Sequence, residues 1–233
     1  MNAHPSVDQA AVTLEEAAYT RRSVRAYLDT PVSRATIERI LRTAATAPSG
    51  SNTQPWRVWV LRGPALARLA AALSVAYLED QPLRPEYQHY AQPLPDLHLR
   101  RRRACGLGLY SLLGIGRGDT ERLRAYRVRN YQFFGAPAAL VFTMDRALSH
   151  GSWLDYGMFL QTAMLAARSL GLHTCAEGSI AAYPDIVRRE LSIAESELVV
   201  CGMALGYHDP TAPINRYQPA RCELDEFTTF VED

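Results

Sequence analysis

An α+β sandwich, helices packed on a mixed sheet, is the fold this sequence predicts, and three observations predict it. Trp56–Leu61, Ala138–Met144 and Glu197–Leu205 are short apolar runs of strand length, the last rich in Val. At least six longer segments carry helical caps and helical periodicity. One of them, Trp153–Leu170, sends Leu154, Met158, Phe159, Leu160, Met164, Leu165 and Leu170 in almost every direction around its axis, which predicts a helix buried on all sides.

Taken in order, residues 1–11 read as a frayed lead-in, and Thr13 with Glu16 makes a capping box for the first helix. Residues 27–32 read as an extended link. Ser33 caps a second helix that carries Ile37, Ile40 and Leu41 on one face and stops before Pro48. After the first strand, Gly63 and Pro64 open a helix to about Leu78. Residues 79–96 hold four prolines among Tyr87 and Tyr90, a composition that suggests a lid.

His98–Ile115 reads as helical and begins with Arg100, Arg101, Arg102 and Arg103, which point nearly all the way round the axis and so form no single basic patch; most read as solvated, and the alternative is that one of them reaches an acidic substrate or a nicotinamide phosphate. Asp119 caps a helix expected to reach about Phe134. Gly171 stops the apolar helix, residues 172–175 are a short extended piece, and Tyr183 and Pro184 start a helix to Leu191. Beyond the last strand, Pro210, Pro213, Asn215 and Pro219 keep the tail extended, and its Phe227 and Phe230 need a surface to lie on. The chain therefore reads as one domain over residues 1–233, with a lid or insert at about 79–135 and an extended arm at about 209–233.

Composition narrows the function. With 233 residues, 48% of them hydrophobic, the chain can bury one substantial core and an interface. A formal charge of +1 gives no basic surplus for nucleic acid. Cys105, Cys175, Cys201 and Cys222 form no CxxC pair and follow no secretory signal, so they read as reduced thiols of a soluble, cytoplasmic protein. No apolar run approaches membrane-spanning length, and the six histidines show no metal-ligand spacing.

Two stretches carry the chemistry. RRSVRAY, residues 21–27, places Arg21, Arg22 and Arg25 around Ser23, and arginine's fork of donors fits phosphate and flat hydrogen-bonding edges. If this segment is helical, Arg21 and Arg25 share a face. The alternative is that these arginines are simply solvated at a helix end. APSGSNTQPW, residues 47–56, is a loop whose Pro48, Ser49, Gly50, Asn52 and Gln54 offer hydroxyl, amide and close-approach backbone, and it runs straight into the first strand. No GxGxxG follows a strand, and the glycines of GLGLYSLLGIG read as packing positions in a helix.

RRSVRAY followed by APSGSNTQPW resembles the signature of the FMN-dependent nitroreductase family. NYQFFGAPAALVF, AEGS, CGMALGYHDP and NRYQPARCELDEF continue the resemblance through most of the chain, in the order seen in the branch that includes nitrobenzoate reductases. The resemblance implies a mostly antiparallel central sheet, an intertwined homodimer around the apolar helix, and FMN sites at the subunit boundary. It implies that Arg21, Arg22 and Arg221, with Ser23, hold the FMN phosphate and that Arg25 faces the pyrimidine edge of the ring. It further implies that Pro48, Ser49, Gly50, Asn52 and Gln54 reach FMN, the first of them in the partner subunit, and that the backbone of Glu177 and Gly178 points at the ring. The cofactor then carries the chemistry, so no catalytic side chain is required.

NAD(P)H and an electron-poor aromatic acceptor would stack in turn on the exposed ring face. Phe133, Phe134 and Tyr110, with the tyrosines of the lid, are candidates for the stacking wall, and core packing is their alternative reading. The expected function is two-electron, ping-pong reduction of nitroaromatics. A flavin-binding redox sensor without turnover, or a dehalogenase or dehydrogenase of the same family, is the competing expectation.

Overall fold

The computed structural model describes residues 10 and 13–232, and the frayed lead-in expected at residues 1–11 lies, Ala10 apart, outside them. Four strands, β1 (Arg57–Arg62), β2 (Ala138–Asp145), β3 (His173–Glu177) and β4 (Glu197–Gly206), form one sheet in the order β1-β2-β4-β3. All three pairings are antiparallel. The sheet's mixed character comes from a single parallel bridge, Ser23 to Thr174, at the free edge of β3. The extended piece expected at residues 172–175 is thus a strand in its own right, reaching Glu177.

β2 and β4 are the central strands, and every residue of both is buried except Asp145. Their side chains alternate between two cores because successive Cβ atoms point to opposite faces of the pleat. Ala139, Val141, Val199 and Ala204 join the core under α3 (Gly63–Leu78) and α7 (Pro184–Leu191). Leu140, Phe142, Met144, Met203 and Leu205 join the other, under α2 (Arg34–Ala44) and α6 (His150–Ser169). α1 (Leu14–Thr20), α4 (Asp96–Leu112) and α5 (Thr120–Arg127) complete the seven helices.

Local chemistry sets the boundaries. The Thr13–Glu16 capping box forms in full at the start of α1, and such caps contribute about 1 kcal/mol. Ser33 caps α2 and Asp119 caps α5, each accepting a backbone N–H from three residues on. α5, expected to run to Phe134, stops at Arg127, because Phe133 and Phe134 take left-handed backbone angles, φ 49° and 53°.

The expectation for α6 is corrected too. Tyr156, Phe159, Ala163 and Ala167 are buried, but Leu154 is 74% and Met158 39% exposed, so one stripe of this apolar helix faces outward from the chain. Phe227 and Phe230 of the tail are likewise open, at 68% and 73%.

Candidate functional site

α1 ends at Thr20, and Arg21 already has extended angles, φ −66° and ψ 126°. The arginine segment is therefore not helical, and the shared helical face expected for Arg21 and Arg25 does not exist. An extended chain reaches the same result by its period of two, which puts Arg21, Ser23 and Arg25 on one side and Val24 on the other. Val24 is fully buried and its N–H donates to the carbonyl of Thr174 at 3.1 Å. That bond and the Ser23 bridge fix the segment to the edge of β3.

The tail closes over it. Asn215, 2% exposed, accepts the N–H of Arg25 at 2.9 Å and donates to the carbonyls of Ala26 and Asp209. Tyr217 donates to the carbonyl of Cys105 at 2.9 Å. Its ring packs so closely on α4 that a Cβ at Gly108 would sit 2.8 Å from it, which explains one glycine of GLGLYSLLGIG as a packing position.

Between these elements lies a cavity of about 620 Å³ lined by Arg21, Arg22, Ser23, Arg25, Arg221 and Gln161 among others, with no Asp or Glu among the described residues of its wall. Burial, and then the nearby Arg221 guanidinium, holds Arg21 below its ordinary pKa. Arginines converging from the segment after α1 and from the tail make a receptor for an anion. The guanidinium of Arg25 donates to the carbonyl of Ser23 at 3.2 Å and stands 5.9 Å from the centre of the Phe134 ring.

The loop of residues 47–56 does not line this cavity. It rests on the N-terminal half of α6, where the N–H of Gly50 donates to the buried Asp155 carboxylate at 3.1 Å. Gln161, in the arginine cavity, lies six residues further along that helix, about 9 Å away at 1.5 Å per residue. Ser49 accepts the N–H of Gln54, and Ser51, Asn52 and Gln54 all take positive φ. Such angles cost on the order of 1 kcal/mol each and mark a loop held in one shape for a purpose. Trp56 locks its end by stacking on Phe159 at 4.7 Å. Pro48, Gly50, Asn52 and Gln54 are exposed and Ser49 half-buried.

Glu177 ends β3 and Gly178 follows. The Glu177 side chain is 3% exposed, and neither carboxyl oxygen has a hydrogen-bond partner among the described residues. Burial raises its pKa well above the ordinary carboxylate range, with the nearby Arg25 pulling the other way. Gly178 borders two cavities, of about 670 and 790 Å³, whose outer walls are Tyr87, Gln88, His89 and Tyr90. A Cβ on Gly178 would lie 3.0 Å from the His89 ring. The lid strand is thus laid directly over the AEGS turn.

Glu86 ties that lid down. Its carboxylate accepts from Arg146 and Arg188 at 2.6 Å and from the N–H of Val199 at 3.2 Å. Tyr87 donates to the carbonyl of Val200 at 2.6 Å and packs on Trp153. Glu86, Asp155 and His89 escape sequence reasoning, because each acts through a partner 89 or more residues distant and no local pattern marks it. Asn215, expected only to keep the tail extended, sits instead in a 3-10 turn, Pro213–Arg216, and serves to hold Arg25.

Phe133 and Phe134, expected as a stacking wall, are 0% and 1% exposed and line none of these cavities. Phe133 packs against Gly202, where a Cβ would come within 3.0 Å of its ring. Tyr110 is half-buried with its ring edge toward Tyr126. Core packing accounts for the two phenylalanines, while Tyr87 and Tyr90 line the cavities beside Gly178 together with Tyr131, Trp153 and Tyr156.

The protein-family model for the Nitroreductase family matches residues 18–207. The chain is 41% identical over 214 residues to a chloronitrobenzene nitroreductase of Comamonas testosteroni, covering 91% of this chain and 94% of that one. It is 41% identical over 212 residues to a 4-nitrobenzoate reductase of Pseudomonas putida, covering 91% and 92%. Among solved structures, the FMN and NADPH-dependent nitroreductase NfnB from Sphigopyxis sp. strain HMH superimposes with a TM-score of 0.92 at 37% identity, over 95% of this chain and all of that one. With the signature spanning most of the chain and the fold matched throughout, this protein belongs to the nitroreductase family.

Proposed function

We propose that this chain is an FMN-dependent oxidoreductase that takes a hydride from NAD(P)H and reduces nitroaromatic or related electron-poor aromatic compounds by two electrons, in alternation. The observation that carries this reading is the convergence of Arg21, Arg25 and Arg221 on one cavity with no Asp or Glu among its described lining residues, which fits the dianionic phosphate of FMN. Arg21, Arg22 and Arg221 with Ser23 hold the phosphate. Arg25 supplies positive charge to the electron-rich edge of the ring, and the backbone N–H groups of Glu177 and Gly178 donate to it. When bound, FMN supplies hydride transfer between nicotinamide and acceptor.

The remaining residues position and exclude water. The lid, clamped at Glu86, walls the space beside Gly178 with Tyr87, His89 and Tyr90. The outward stripe of α6, with Leu154 and Met158, and the open Phe227 and Phe230 of the tail support a homodimer. In it, Pro48, Ser49, Gly50, Asn52 and Gln54 of one copy complete the FMN site of the other. A cytoplasmic location fits the four free thiols. Among the described residues, no helix is long and apolar enough to cross a membrane.

The test is a stopped-flow mix of the FMN-loaded protein with NADPH or NADH. Rapid bleaching of the flavin band, reversed by a nitroarene, is the expected result. Slow bleaching without turnover, or none, would make this a redox-sensing flavin binder, and turnover of iodophenols alone would make it a dehalogenase.

A further inference from the structure

The cavity of about 670 Å³ beside Gly178 has an uneven charge distribution. Among the described residues that line it, Arg102 is the sole Arg or Lys and Glu177 the sole carboxyl group. The Glu177 side chain is 3% exposed, whereas the exposed Arg102 presents its guanidinium at the cavity wall.

Arg102 is held but not spent. Its guanidinium carbon lies 4.4 Å from the centre of the Tyr90 ring, a cation–π contact that uses the face of the guanidinium. Stacking leaves the edge donors free, and the edge is the part that matches a carboxylate with two parallel hydrogen bonds. Among the described residues no carboxylate lies within ion-pair distance of Arg102, whereas the adjacent Arg101 pairs with Glu226 at 3.2 Å. One helical turn on, Cys105 lines the arginine cavity, so the same face of α4 spans both. Gln88, Gln92 and Asn130 add neutral donors to the wall.

We propose that Arg102 is a specificity-determining residue that anchors a carboxylate carried on the acceptor's aromatic ring. The substrate class is then the nitroarene carboxylates in preference to neutral nitroarenes. This rests on the function proposed above. Tyr90 offers the acceptor an aromatic neighbour while it orients the cation, and the lid clamp at Glu86 keeps both in place.

The probe is a calorimetric titration of the oxidised, FMN-loaded protein with benzoate and with benzamide, a neutral analogue of the same shape, neither of which can be reduced. Benzoate should bind tighter than benzamide by about tenfold to a hundredfold. R102Q should bring the two within about twofold, R102K should restore part of the preference, and R103Q should leave it unchanged. In turnover, R102Q should raise KM for 4-nitrobenzoate while leaving 4-nitrobenzamide unaltered. The proposal is overturned if benzoate binds no tighter than benzamide, or if R102Q keeps the preference. A loss confined to NADPH relative to NADH would also overturn it, assigning Arg102 to a nicotinamide phosphate. Because the titration needs no turnover, a protein whose flavin NAD(P)H does not bleach still gives this answer, and the two readings fail separately.

Discussion

Replacing Arg21 by alanine should weaken FMN binding and leave riboflavin binding almost unchanged. Arg21 stands half-buried in a cavity shared with Arg22, Arg25 and Arg221, and no Asp or Glu is among the described residues of the wall. Burial and the Arg221 charge both disfavour its charged form. A phosphate reverses that balance by giving Arg21 charge-assisted hydrogen bonds worth about 1.5–3 kcal/mol, equivalent to roughly a 10- to 150-fold rise in Kd. Arg221 is exposed, so Arg221→Ala should fall at the lower end of that range and lose more of its effect in salt. The flavin-free protein should respond the other way, since Arg21→Ala removes a poorly compensated buried cation, and its stability should hold or rise. Flavin fluorescence quenching, with FMN and riboflavin titrated in parallel into stripped protein, measures the first effect, and urea unfolding measures the second. Equal losses for FMN and riboflavin, or a stripped variant markedly less stable than the parent, would refute a phosphate role.

Glu177→Gln should stabilise the flavin-free protein increasingly as pH rises. Glu177 has a raised folded pKa, so above its unfolded value the native state holds a proton that the unfolded state has lost, and stability falls by up to about 1.4 kcal/mol per pH unit; unfolding curves at about pH 5 to 8 that stay parallel for parent and variant would contradict this. Glu86 behaves oppositely. Burial pushes its carboxyl up, but hydrogen bonds from Arg146, Arg188 and Val199 outweigh that and hold it below its ordinary 4.5. Its contribution is present above the unfolded pKa and is lost as pH falls through the lowered folded value, so Glu86→Gln should cost on the order of 3 kcal/mol at neutral pH and flatten the acid limb. An unchanged urea midpoint would show that the lid is not clamped there. Leu154→Glu with Met158→Glu should turn a dimer into a monomer that holds FMN weakly, and sedimentation showing an intact dimer would remove α6 from the interface.

Much of the fold was legible because its determinants are local. The caps at Thr13, Ser33 and Asp119, the stop at Gly171 and the unbroken apolar runs of β2 and β4 act within a few residues of themselves, and the helices and strands begin where they say. Arg21 and Arg25 were recognisable from the motif at residues 21–27 and Arg221 only through the family resemblance of the tail, and the structure brings the three to one cavity. Local signals failed where a distant contact outweighs local preference. Arg21–Arg25 is extended because β3 offers it an edge to pair with, and α5 stops short because the core takes Phe133 and Phe134 at left-handed angles that no residue-by-residue preference favours.

By itself, then, the sequence determined the class of fold, the order of its elements and the chemistry of the arginine segment, since periodicity, capping and charge are properties of neighbouring residues. Only the tertiary structure decided that the cationic cavity has no carboxylate among its described lining residues, that Glu177 is sealed in with its pKa raised, that Glu86 is fastened to Arg146 and Arg188, and that Arg102 stacks on Tyr90 beside Gly178. Each of these depends on burial and on partners brought together from far along the chain, where the cost of removing charge from water is settled by three-dimensional neighbours that no sequence spacing records.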